Sequence, residues 1–162
     1  MSETRDLSIF PNGTTYPRDV PVNHGTSGQR TLRMEHEVDP KEALLAALGD
    51  LSHIRLFSAQ VLLAIYERPQ KTKGGLFLPD NIRREDIYQG KVGLVVAKGP
   101  AAFKDDDRTQ FHGQDVQIGE WVGYRVQDGW SLQVNGPNGA VHCRMLEDVN
   151  IKAAFTHPDD IY

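Results

Sequence analysis

Three groups of residues in this 162-residue chain have side chains that bind metals or attack substrates: Asp105-Asp106-Asp107, the pair His112 and His142, and the lone Cys143. A calcium loop needs oxygen ligands at alternating positions, a Gly at the bend and a later Glu. None of that spacing is present, so the acidic triplet reads as a solvated loop. His142 and Cys143 are neighbours, and neighbours on a strand point to opposite faces, which separates them as metal ligands and as a Cys–His nucleophile. No Cys-x-x-Cys or His-x-x-x-His spacing occurs. The run "KTKGG" at 71 to 75 lacks the Gly-x4-Gly-Lys-Ser/Thr order of a phosphate cradle. No base, nucleophile and oxyanion site assembles, so the expectation is a protein with no enzymatic activity, no metal and no cofactor.

The chemistry that remains is adhesive. Residues 71 to 80 read "KTKGGLFLPD", placing Leu76, Phe77 and Leu78 between the paired Gly74-Gly75 and Pro79. Glycines loosen one end of this triplet and proline stops the other, so it is poorly suited to a buried strand. Such a triplet either folds back into its own core or meets another protein.

The elements that must carry this loop are legible from punctuation. Residues 1 to 38 hold Pro, Gly, Thr and Asn without a sustained period, and read as an extended N-terminal arm. In "DPKEALLAALGD", Asp39 suits an N-cap, Pro40 the first helical position, Glu42 the capping-box position and Gly49 the stop. Ala43, Leu44, Ala47 and Leu48 are the expected apolar face of this one short helix, within a helix-and-linker segment over 39 to 52. From His53 the texture becomes β-like. "AQVLLAIYE" reads as a strand buried on both faces for part of its length, and "GKVGLVVAKG" as a second with a bulge or strong curvature. "GEWVGYRV" and "SLQVNG" read as further strands, and "AVHCRMLEDVNIKAAF" as one or two more. Turn signals stand at Asp128-Gly129, Asn135-Gly136 and Asn138-Gly139. Many short strands with Gly-rich corners predict a mainly β fold, a small barrel or sandwich.

Composition limits the partners. The chain is 39% hydrophobic and 25% charged, ordinary for a soluble protein with one core. Its net charge of −4 argues against nucleic acid. No apolar run spans a bilayer and no signal-peptide apolar region begins the chain, so no membrane is expected. A single cysteine makes no internal disulfide, and a cytoplasmic location is the default.

These residues resemble the GroES-type co-chaperonins, the chaperonin-10 family. "IRLFSAQVLLAIYERPQKTKGGLFLPD" is similar to the family's opening strand, its basic polar loop and the Gly-Gly-hydrophobic tripeptide. "QGKVGLVVAKGP", "VQIGEWVGYRVQDGW" and "CRMLEDVNIKAAF" resemble the later motifs in the family's order. Each motif alone is weak; their order across residues 53 to 155 carries the likeness. Departures are Ser58-Ala59-Gln60 in place of a His-Asp-Arg-like run, and "AAFKDDDRTQFHGQD" in place of the roof hairpin. Residues 1 to 52 have no counterpart in compact bacterial members. Such divergence resembles the co-chaperonin-like proteins of tailed bacteriophages.

The resemblance implies a small GroES-like β-barrel over 53 to 155, followed by a tail over 156 to 162. It implies a mobile loop in which Gly74 and Gly75 give freedom and Leu76, Phe77 and Leu78 enter a groove on the apical domain of a GroEL-like chaperonin. It implies a homo-oligomer, a ring of seven, with Ile54, Leu56, Val61, Val149, Ile151 and Phe155 at the subunit boundary. Trp130 aligns with a family tyrosine that faces the cage interior; a Trp half-buried at a turn beside Trp121 and Tyr124 is the equal alternative. A bacterial host-cell co-chaperonin is one functional expectation. A phage virion protein, gripping coat or tail neighbours through the arm, is the other.

Overall fold

Five apolar residues in succession after Gln60 leave no polar face, so this stretch satisfies its backbone only as the middle of a sheet covered on both sides. A computed structural model of the chain describes residues 33–161 fully, together with the strands β1 (Leu7–Ile9) and β2 (Thr15–Pro17). The chain divides into two units, 1–31 and 32–162. In the first, β1 and β2 pair antiparallel with Ser8 opposite Tyr16. The rest of the expected arm up to residue 32 lies outside the described residues.

The second unit contains helix α1 (Pro40–Leu48), strand β3 (Gln60–Ile65), helix α2 (Asp80–Gln89) and strand β4 (Val92–Lys98). Strands β5 (Trp121–Gly123), β6 (Trp130–Gly136), β7 (Gly139–Glu147) and β8 (Ala153–Phe155) follow. The fold is mainly β, as expected. Six strands form one antiparallel sheet in the order β6-β7-β3-β4-β5-β8, so β6 and β8 end the hydrogen-bonded ladder. Gly136 pairs with Gly139 across the two-residue turn Pro137-Asn138, the hairpin that the Asn-Gly signals predicted. The expected bulge is in β4: Leu62 faces Ala97 but Leu63 faces Val95, which leaves Val96 as the extra residue. At the Asp128-Gly129 turn, Gly129 has φ +72°, and a Cβ there would meet the Met145 carbonyl at 2.2 Å.

The period-two alternation of β3 sorts the core. Leu62, Ala64 and Tyr66 pack with Leu94, Trp121, Cys143 and α1's Leu48 on one face. Val61, Leu63 and Ile65 pack with Val95, Val122, Tyr124 and Leu146 on the other. Helix α1 begins and ends as its punctuation requires. Asp39 accepts from the Lys41 N–H at 3.2 Å, and the Gly49 N–H donates to the Leu45 carbonyl with Gly49 at φ +66°. Of its expected apolar face, Leu48 is buried and Leu44 and Ala47 half-buried, while Ala43 is exposed.

Helix α2 is an addition to the single helix read from sequence. "DNIRREDIYQ" has no apolar stripe, and its one buried residue is Asp86. Residues 101 to 115 contain no strand, in keeping with the absence of a hairpin pattern there. Instead, Asp106 accepts from the Arg108 and Thr109 N–H groups at 2.7 Å, and Asp105 from that of Phe111 at 2.6 Å. Among the described residues no helix is long and apolar enough to cross a membrane.

Candidate functional site

The loop after β3 is a small folded hairpin. Lys71 bridges Phe77, the Thr72 N–H donates to the Leu76 carbonyl at 2.9 Å, and the Leu78 N–H to the Gln70 carbonyl at 2.8 Å. The Thr72 side-chain hydroxyl, itself buried, accepts from the Leu76 N–H at 3.0 Å and closes the tip. Gly75 makes the reversal at φ +87°, a region costly for other residues. Nothing lies within 4 Å of where a Gly75 Cβ would stand, so its conformation rather than its space requires glycine.

The triplet divides. Leu76 and Phe77 are 57% and 62% exposed, and Leu78 turns inward and is buried. Lys71 Nζ lies 5.8 Å from the Phe77 ring centre, a cation–π contact that steadies the ring without covering it. Two large apolar groups at the tip of an ordered hairpin, beside basic residues, form an adhesive knob.

Two devices hold the hairpin. The first is a strap, residues 33 to 36, added to it as an outer strand. The Glu35 N–H donates to the Lys71 carbonyl and the Lys73 N–H to the Arg33 carbonyl, both at 2.9 Å, while Met34 bridges Thr72. Met34 is fully buried, at 0% exposure. Behind the strap, the Asp159 carboxylate collects three donors: the Tyr66 hydroxyl, the Met34 N–H at 3.0 Å and His36 Nε2 at 3.0 Å. Asp159 sits in the short 3-10 turn Pro158–Asp160, which His157 caps by accepting the Asp159 N–H at 3.1 Å. The His157 N–H donated to Asp160, with the Arg33 guanidinium 3.1 Å away, holds the Asp160 carboxyl below its usual range.

The second device is an ion pair at the root, between a half-buried Arg68 and a buried Asp86. Arg68 meets Asp86 of α2 through a fork of N–H bonds at 2.8 to 3.2 Å, and the Arg68 main-chain N–H adds another at 2.9 Å. Arg83 closes the corner by donating to the Arg68 carbonyl at 3.2 Å. Beside the knob runs a groove of about 920 Å³ lined in part by His36, Val38, Leu44, Tyr66, Glu67 and Phe77. Desolvation raises the Glu67 carboxyl above its ordinary range, although the residue as a whole is exposed to solvent.

The other residues singled out from sequence are scattered. Ile54 is half-buried, and Leu56 is buried in the core cluster with Leu62. Val61, expected at a subunit boundary, is instead fully buried inside this subunit, and both edges of its strand are occupied, by β4 and β7. Val149 is 40% exposed and Ile151 half-buried. Phe155 is half-buried on the end strand β8, opposite Trp121. Trp130 begins β6 and is 56% exposed. Cys143 is buried, which pushes its thiol up to about 12 and leaves it unreactive. His112 is exposed on the 101-to-115 loop. Sequence reasoning missed the strap, Tyr66, Arg68, Asp86 and Asp159. The one available signal was the pair of charges Arg68 and Asp86 flanking the loop at its two ends.

Comparison with known proteins agrees with the order of the motifs. The family model described as "Chaperonin 10 Kd subunit" matches residues 53–149, more than half of the chain. A Corynebacterium diphtheriae protein named Co-chaperonin GroES is 32% identical over 84 residues, which cover 52% of this chain and 79% of that protein. The family-model match over 53–149 contains the knob and its Arg68–Asp86 root. The strap, α1, β8 and the Asp159 turn lie outside it.

Proposed function

The chain belongs to the chaperonin 10 family, and on that premise we propose that it is a co-chaperonin subunit whose Leu76–Phe77 knob docks on the apical domain of a GroEL-like chaperonin. A chaperone subunit of this kind is not an enzyme. The observation that carries the reading is the outward projection of two large apolar side chains from a hairpin closed by its own hydrogen bonds. Leu78, the third member of the tripeptide, fixes the knob from within. Burying two such side chains yields about 3–6 kcal/mol gross per loop, at about 1.5–3 kcal/mol each. Ordering a free loop costs about 1–2 kcal/mol per residue; the strap has already met part of that cost. One loop still binds weakly, and several on one ring bind tightly through effective concentration.

The ring, of seven subunits by the family's pattern, needs edges that pair. The outer edge of β8 and the stretch 54 to 57, which belongs to no strand, are the surfaces best placed for this, with Val149 beside β8. The host cytoplasm is the location this function requires. Co-elution with a bacterial chaperonin, with and without nucleotide, tests the reading. Nucleotide-dependent binding that is lost in a Leu76→Ser, Phe77→Ser variant is the expected result. No binding by the intact, folded protein would overturn it.

A second reading, a bacteriophage coat or tail component, draws on one observation. Residues 1–31 form a unit of their own, and the family match begins only at residue 53. Stoichiometric recovery of the protein in purified phage particles would favour it; recovery only from the host lysate would remove it.

A further inference from the structure

Two imidazoles and a carboxylate converge behind the strap, on segments that flank the family match. We propose that His36, His157 and Asp159 form a binding site for one divalent transition-metal ion, zinc by preference, which fastens the strap to the 157–160 turn. His36 Nε2 lies 3.0 Å and His157 Nδ1 3.7 Å from Asp159 Oδ2, and the three ligand atoms lie within 4.8 Å of one another. Ligands at about 2.0–2.1 Å around tetrahedral zinc stand roughly 3.3 Å apart, a spacing these two distances straddle. A shift of the half-exposed His157 ring closes the remainder.

The surroundings suit a metal. The Asp159 side chain is only 3% exposed, and its carboxylate is already aimed by the Tyr66 hydroxyl on Oδ1 and the Met34 N–H on Oδ2. Supporting hydrogen bonds of this kind orient a ligating carboxylate. The His157 side chain, 35% exposed, forms the open side, through which an ion enters and a water completes the coordination. Two nitrogens and one oxygen select zinc, cobalt or nickel over the oxygen-seeking magnesium and calcium. Binding replaces the His36 bond to Asp159 and the Asp159 N–H bond to His157 with metal bonds, so the site is weaker than a closed four-ligand one.

This inference does not depend on the chaperonin reading, because its test uses the full chain alone. Chelator-stripped protein is titrated with Zn²⁺, Co²⁺ and Mg²⁺ beside His36→Gln and His157→Asn. Glutamine keeps a donor for Asp159, and asparagine keeps a capping acceptor. One zinc per chain, visible absorption typical of four-coordinate cobalt and no magnesium binding are expected. Either substitution lowers zinc affinity by roughly tenfold or more, while His142→Gln leaves it unchanged. Absence of saturable zinc binding, or binding that both substitutions leave intact, would overturn the site and leave His36, His157 and Asp159 as a hydrogen-bonded knot.

Discussion

Strand β3 and the hairpin over 70 to 78 are separated by four residues, yet different forces hold them. The strand is kept by burial: apolar side chains cover both faces and its two edges are bonded to β4 and β7. The hairpin is kept by directed polar contacts, namely the strap's N–H groups, the Asp159 carboxylate and the Arg68–Asp86 pair. Burial holds a segment by consuming its apolar surface; directed bonds hold one while leaving that surface available. This difference lets a large phenylalanine be both ordered and exposed.

The contrast is open to attack from either side. Arg68→Ala should do the most damage, about 3–5 kcal/mol, because Asp86 is left charged, 2% exposed and without its principal partner. Denaturant unfolding measures the loss, and adding Asp86→Ala should recover part of it. If the single substitution proves neutral, the hairpin is not held by its ionic root. Leu63→Ala should cost about 2–5 kcal/mol through the cavity left in a fully buried site. Chaperonin binding by the molecules that remain folded should be unchanged; weakened binding would mean that sheet and knob are not separable. Gly75→Ala should cost least, about 1–2 kcal/mol, since alanine is strained at φ +87°. That cost should appear as faster amide exchange confined to residues 70 to 78 and not as a lower global stability.

The same contrast explains what the sequence allowed to be read. The strands announced themselves because burial writes a local pattern: apolar runs, alternation and turn residues within ten positions. Helix α1 likewise carried its own cap, proline and terminal glycine. Helix α2 is followed by a glycine too, Gly90, but at φ −63° and not in the left-handed conformation that ends α1. Pro79 offers no capping side chain, and the helix is anchored by a buried aspartate in place of an apolar stripe. The family's order of motifs exposed the Gly-Gly-Leu-Phe-Leu loop, but not that Leu78 would turn inward. That split depends on the bridge from Lys71 to Phe77, a matter of pairing and not of residue type. Met34 is one methionine in a stretch without period, and nothing local marks it as a buried partner of Thr72. Nor does spacing reveal the cluster of His36, His157 and Asp159, because only two of the three are close in sequence.

The strap's separation from its anchor has a consequence for the order of events during synthesis. Met34 and Asp159 are 125 positions apart, so the ribosome releases the strap first, the hairpin next and the anchoring carboxylate last. Contacts this distant are late to form, because the intervening chain must already be organised. A nascent chain halted short of residue 159 would carry most of its sheet and its hairpin, with the strap lacking the carboxylate that anchors Met34 and His36. The latch therefore acts as a seal on finished molecules, and under the proposed co-chaperonin role it would favour whole subunits over partial ones.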